Sequence, residues 1–182
     1  MQSIQRLKST LESLASAEHY LFSASDFYQI FPEMTAPALR VLLGRAAKSG
    51  VLIRICRGMY LYPKAGYPKG CELYHTASRL REESFCYLSL ESALSEEGMI
   101  SQIPLGWISL VTGGRSGIIA CGKWGSIEFV HTKKHFDDIS ALLIYDRRYR
   151  LWRASAQLAL QDMRAAKRSM ELINRDAVRE FI

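Results

Sequence analysis

Residues 35–63 read "TAPALRVLLGRAAKSGVLIRICRGMYLYP". Thr35 carries the short hydroxyl that accepts a hydrogen bond from the first free helical N–H groups. Pro37 follows in the first turn, where its missing N–H costs nothing, so a helix is predicted from about residue 36. Gly50, after Lys48-Ser49, is its expected stop. Leu39, Leu42, Leu43 and Ala46 recur at i, i+3, i+4 and i+7 and make one side apolar, while Arg40, Gly44 and Lys48 line another with Arg45 beside them. Beyond Gly50, "VLIRICRGMYLYP" is β-branched and aromatic, and Arg57-Gly58 supplies a turn between two short strands.

The flanks extend this pattern. Ile4, Leu7, Leu11 and Leu14 have helical spacing over residues 3–17, and "LFSASDFYQIF" predicts a second short helix capped by Ser23 or Ser25 and closed at Phe31-Pro32. Helix, helix, turn, helix, hairpin is the order of a winged helix-turn-helix. "PKAGYPKG", 63–70, holds two prolines and two glycines that break both helix and strand, which predicts domains at 1–66 and 67–182. In the second, "CELYHTASRLREE" and "SLESALSEEG" read as helices, the latter with Ser89 as cap, Glu91 in its first turn and Gly98 as its stop. "WISLVT", "GIIAC" and "SIEFVH" read as strands, and "ASAQLALQDMRAAKRSMELI" as a helix. The fold class expected is α+β: an N-terminal winged helix-turn-helix followed by a small α+β C-terminal domain.

Composition narrows the partners. With 182 residues, 48% hydrophobic and 23% charged, the chain has enough apolar material for one ordinary domain or two small ones. Its 24 Lys+Arg against 18 Asp+Glu give a net charge of +6, which favours an anionic partner such as DNA or RNA. No apolar run approaches the ~20 residues that a membrane helix needs, and "MQSIQRLKSTLESL" lacks a signal-peptide core, so a cytoplasmic protein with no membrane partner is expected. Cys56, Cys71, Cys86 and Cys121 are widely spaced and read as reduced packing residues.

A helix fits the major groove, about 12 Å wide, and its N-terminal side chains then reach base edges. Thr35 and Ala36 would lie nearest the duplex, and Arg40 would reach a guanine edge or a phosphate. Gly44 would remove bulk where the helix passes the backbone, and Arg45 and Lys48 would hold phosphates. Arg54 and Arg57 would project from the hairpin toward a flanking phosphate or minor groove, and Lys64 and Lys69 add charge behind it. The competing reading is a solvated charged face on a protein-interaction adaptor that uses a winged helix without binding DNA. A second basic concentration, "DRRYRLWR", interleaves Arg147, Arg148, Arg150 and Arg153 with Tyr149 and Trp152. It suits either a nucleic-acid or protein interface, or the start of a surface helix with its aromatics inward. Arg164, Lys167 and Arg168 continue the charge.

The winged-helix order, followed by "YLSLESALSEEGMI", "WISLVTGGRSG" and "GSIEFVH", resembles the AbiEi family of antitoxins and transcriptional regulators of bacterial type IV toxin–antitoxin operons. The "RGMYLYP" wing, Tyr87 to Ala93, Val111 to Gly117 and Glu128 to His131 carry the resemblance. It implies an autorepressor that binds its own operator and counters a nucleotidyltransferase-like toxin. An isolated winged helix covers little duplex, so an inverted repeat taken by two copies is expected, and with no constellation of nucleophile, base and stabiliser the expectation is a protein that is not an enzyme. No cofactor or metal is expected.

Other motifs weigh less. "GIIACGKW" matches G-x-x-x-x-G-K but places Trp124 where a P-loop needs Ser or Thr, and the adjoining "GSIEFVHT" reads as a strand. Cys71, His75, His131 and His135 are too loosely spaced for a zinc site without a C-x-x-C pair. Ser89, Ser92 and Ser116 have His131 for company but no strained strand-to-helix elbow is predicted around them. Glu96-Glu97 and Asp137-Asp138 read as solvated charges.

Overall fold

The computed structural model describes residues 2–100, 105–171 and 173–174, which form two compact units divided between Gly70 and Cys71. Together they contain seven α-helices and nine strands in two sheets, an α+β chain among the described residues.

Residues 1–70 follow the order α1 (Gln2–Leu14), β1 (Leu21–Ser23), α2 (Ala24–Ile30), α3 (Ala36–Lys48), β2 (Ile53–Cys56) and β3 (Met59–Leu61). α1 ends earlier than its periodicity predicts. Ser16 and His19 exchange backbone hydrogen bonds, and the Ser16 hydroxyl accepts from the His19 N–H, so the chain turns and Leu14 stays exposed. Ser23 rather than Ser25 caps α2. It forms a full capping box, accepting from the Asp26 N–H at 3.2 Å while the Asp26 carboxylate accepts from its own N–H at 2.7 Å, an arrangement that contributes about 1 kcal/mol. α3 begins and ends as its sequence predicts: the Thr35 hydroxyl accepts from the Ala38 N–H at 3.4 Å, and the chain leaves through Gly50 at φ +73°.

β1 is not legible in the sequence, because three residues are too few to show an alternation. It pairs antiparallel with β3, Phe22 opposite Tyr60, and gives the sheet order β1-β3-β2. Leu7 and Leu11 of α1, Phe27 of α2, Leu39, Leu42, Leu43 and Ala46 of α3, and Phe22 and Tyr60 of the sheet share one core. Tyr67 is buried and stacks on Tyr20 at 4.5 Å, with the Lys69 ammonium 3.5 Å from the centre of its ring. These contacts carry the first unit to Gly70, four residues past the expected boundary at 66.

Residues 71–182 build on a six-stranded sheet of order β6-β7-β5-β4-β9-β8. The strands are β4 (Cys86–Leu88), β5 (Trp107–Thr112), β6 (Gly117–Ala120), β7 (Ser126–His131), β8 (Leu143–Asp146) and β9 (Leu151–Ala154). β4 runs parallel to β9 and β5 parallel to β7. α5 (Leu90–Glu96) and α7 (Ala156–Ala165) pack together on one face, over Tyr87, Val111 and Ala154. α4 (Glu72–Leu80) lies against the other: side chains alternate along β7, and Arg81, just past α4, sits 4.2 Å from the ring centre of Phe129 while Val130 faces α5 and α7. α6 (Phe136–Ile139) completes the helices.

Two departures from the sequence reading have local causes. The expected helix across "ASAQLALQDMRAAKRSMELI" stops at Ala165, because the Arg168 N–H donates to the Met163 carbonyl and the Lys167 N–H to that of Arg164. This is a Schellman ending with Lys167 at φ +53°, a place glycine usually marks. "DRRYRLWR" is the turn and second strand of the β8–β9 hairpin, not the start of a helix.

The layers are pinned by Asp162. Its buried carboxylate on α7 accepts from the Tyr87 hydroxyl (3.0 Å), the Ser89 hydroxyl (2.7 Å) and the Lys134 ammonium (2.6 Å), tying helix, central strand and a loop together. Burial and the adjacent Asp162 carboxylate raise the Tyr87 pKa, so its phenol remains a donor. Asp162→Ala strands two hydroxyls and an ammonium and is expected to cost about 3 kcal/mol. Urea unfolding checks it.

Candidate nucleic-acid interface

Charge is not spread evenly. From Met34 to Gly70 the sequence has seven Lys/Arg residues and no Asp or Glu, whereas residues 71–182 hold fifteen basic and fourteen acidic side chains. The net charge of the chain therefore comes from one stretch, that of α3 and the β2–β3 hairpin. This segregation is readable in the sequence; a total of +6 conceals it.

α3 orients the charge. Leu39, Leu42, Leu43 and Ala46 are buried, which leaves Thr35, Ala36, Arg40, Val41, Gly44, Arg45 and Lys48 in solvent. At about 100° per residue, Val41 and Gly44 lie roughly opposite the buried stripe, with Arg40 and Arg45 about 140° apart on either side. Lys48 continues the middle row one turn on. The face is thus a small, uncharged centre between two guanidinium groups. No acidic side chain among the described residues pairs with Arg40, Arg45 or Lys48; the Arg40 Nε–H donates to the Ala36 carbonyl at 3.3 Å instead.

Gly44 stands out energetically. It sits inside a helix, where glycine costs about 1 kcal/mol relative to alanine. A Cβ there would meet nothing within 4 Å, so no internal packing requires its absence.

In the hairpin, Arg54 and Arg57 are exposed. Ile55 forms a bulge between Arg54 and Cys56, and the Arg54 Nε–H donates to the Cys56 carbonyl at 3.3 Å. The turn closes through Gly58 at φ +78°, and its carbonyl accepts from the Ala24 N–H at 2.8 Å. That bond holds the tip, and Arg57 with it, beside the start of α2. Lys64, beyond β3, is also exposed.

The second basic segment is divided by its own turn. Asp146 accepts from the Arg148 and Tyr149 N–H groups at 2.8 and 3.1 Å and sets the bend. Tyr149 turns inward, stacks on Tyr74 at 3.8 Å and donates its hydroxyl to Glu96 at 3.0 Å. Burial, then the neighbouring Tyr74 and Glu96, raise its pKa. The His75 Nε2–H donates to the Arg148 carbonyl at 2.7 Å, the Ser78 hydroxyl donates to the Arg150 carbonyl at 3.1 Å, and Arg153 pairs with Glu97. Arg147 and Arg148 are exposed, so the four arginines do not form one stripe. Glu96 and Glu97, expected as solvated charges, are partners of this hairpin; Asp137 and Asp138 are exposed.

The serines and histidines are engaged internally. Ser89 occupies the first cap position of α5, but its hydroxyl goes to Asp162 rather than to the helix. A strained elbow does join β4 to α5, contrary to the sequence expectation: Leu90 has φ +55°. Its side chain is fully buried, however, so the position that would present a nucleophile holds a core leucine. The Ser92 hydroxyl accepts from the Ser109 N–H, and Ser116 accepts from the His131 N–H while the His131 Nδ1–H donates to the Gly114 carbonyl. "GIIACGKW" is strand β6 and one 3-10 turn, and strand β7 follows from Ser126, the strand–turn–strand expected. Burial pushes the Cys86 thiol up to about 11, and all four cysteines are buried.

No family model and no curated protein matches this chain. No helix among the described residues is long and apolar enough to cross a membrane.

Burial lowers the His75 pKa, so the unfolded chain binds its proton more readily. Stability carried by neutral His75 is complete above the ordinary histidine range and is lost as pH falls through it. Thermal melts from pH 8 to 5 should show a falling Tm, and His75→Gln should flatten that fall.

Proposed function

We propose that the chain is a sequence-specific DNA-binding regulator whose residues 1–70 are a winged helix-turn-helix, with α3 as the recognition helix and the β2–β3 hairpin as a short wing. One observation carries the reading: α3 turns an acid-free, arginine-flanked face to solvent, centred on a glycine that its own fold does not need. A duplex supplies both missing terms, phosphates for Arg40, Arg45 and Lys48 and a backbone surface close enough to exclude a methyl group at residue 44. The two-helix arrangement, with Phe31–Thr35 as the connection, and the sheet order β1-β3-β2 support it. Arg54, Arg57 and Lys64 take flanking phosphates. An isolated unit of this size covers little duplex, so two copies on an inverted repeat are the expected complex.

Residues 71–182 extend the reading toward the AbiEi-like role: a cytoplasmic antitoxin that counters a nucleotidyltransferase-like toxin without itself being an enzyme. Ser89, Ser92, Ser116, His75 and His131 are held by structural hydrogen bonds, which supports a role exercised by surfaces. Co-expression with the product of an adjacent gene of that class should restore growth.

Binding to duplex DNA from upstream of the gene, measured across salt concentrations, tests the main proposal. Affinity should fall steeply with salt, and Arg40→Ala and Arg57→Ala should each weaken it and reduce the log–log slope by about one. Gly44→Ala should stabilise the fold by about 1 kcal/mol through helix propensity, read as a higher Tm, while weakening the complex. Salt-independent affinity that ignores these changes would refute the reading.

A further inference from the structure

Val41 is 52% exposed at the centre of the α3 face, in the N-terminal half of the helix. It shares a row with Pro37 before it and Gly44 and Lys48 after it, the i−4, i+3 and i+7 positions. Its helix already buries Leu39, Leu42, Leu43 and Ala46 in the core, so Val41 contributes nothing to that packing. A branched apolar side chain between two arginines is the wrong group for phosphate and for most of the major-groove edge, which offers hydrogen-bond donors and acceptors. One apolar feature does lie there: the 5-methyl group of thymine.

We infer that Val41 is a specificity-determining residue that packs on a thymine methyl, so that the sequence read by α3 contains a thymine whose methyl group contributes to affinity. The inference rests on the DNA-binding reading. Charge fixes the occupant, since the arginine-flanked, acid-free surface favours a polyanion over an apolar protein helix. Within a duplex, only thymine presents an alkyl group to the major groove. Arg40, one residue away, is placed to read an adjoining guanine once it releases the Ala36 carbonyl.

The test uses the full chain and a duplex selected by it from a random-sequence pool. Each dT of that duplex is replaced in turn by dU, which removes one methyl and leaves base pairing and hydrogen-bonding edges unchanged. One replacement should weaken wild-type binding roughly fourfold, as about 0.8 kcal/mol per buried carbon implies. Val41→Ala should bind the dT duplex more weakly and lose its sensitivity to dU at that position alone, a coupling that a double-mutant cycle reads directly. Arg40→Ala should bind less tightly yet keep the dU effect. Val41 is a surface position inside a helix, and cooperative melting of Val41→Ala at a Tm no lower than that of wild type serves as the folding control. If a duplex is selected but no dU position matters, or Val41→Ala keeps the wild-type sensitivity, the inference fails while DNA binding stands. If no duplex is selected, both fail.

Discussion

The orientation of α3 depends on one apolar stripe. Four buried side chains, Leu39, Leu42, Leu43 and Ala46, meet α1, α2 and the inner face of the small sheet. Because side chains of a helix are fixed at about 100° intervals, burying that stripe determines which residues remain outside. Arg40, Val41, Gly44, Arg45 and Lys48 are exposed as a geometric consequence of the core. Hydrophobic burial of this kind contributes about 1.5–3 kcal/mol per large side chain, far more than the mutual repulsion of three screened surface cations. The core can therefore hold a cationic face together without acidic partners.

The hairpin is constrained by a different device. β1 is only three residues long, yet it gives β3 a second neighbour and leads directly into the capping box of α2. The Ala24 N–H then reaches the carbonyl of Gly58. Strand, cap and turn are linked in a few residues, so Arg57 is carried on a short, anchored loop rather than on a long flexible arm. Less side-chain and backbone freedom remains to be lost when such a loop is immobilised by a partner.

Elements that are legible in the sequence are those whose signals are local. The cap at Thr35, the period of α3, the Arg57-Gly58 turn and the strands of "WISLVT" and "SIEFVH" each declare themselves within a few residues. What stays hidden depends on contacts distant in sequence. β1 and β4 are three-residue strands defined by their neighbours, and the β8–β9 hairpin carries an Asp146 turn inside a run of arginines that resembles a basic helix. α7 ends on a lysine in a glycine's conformation. The exposed face of α3 is readable in its charges but not in its centre, because Val41 looks like core material until the neighbouring leucines are seen to fill the core.

Ser89 shows how the second unit uses its central polar groups. Its hydroxyl lies beside a buried carboxylate and one residue before a strained turn, features that together suggest a nucleophile. The carboxylate, however, is held by three donors, from Tyr87, Ser89 and Lys134. Those three donors occupy the carboxylate oxygens, and the strained position itself carries a buried leucine. The strain and the buried charge serve to lock β4, α5 and α7 in place.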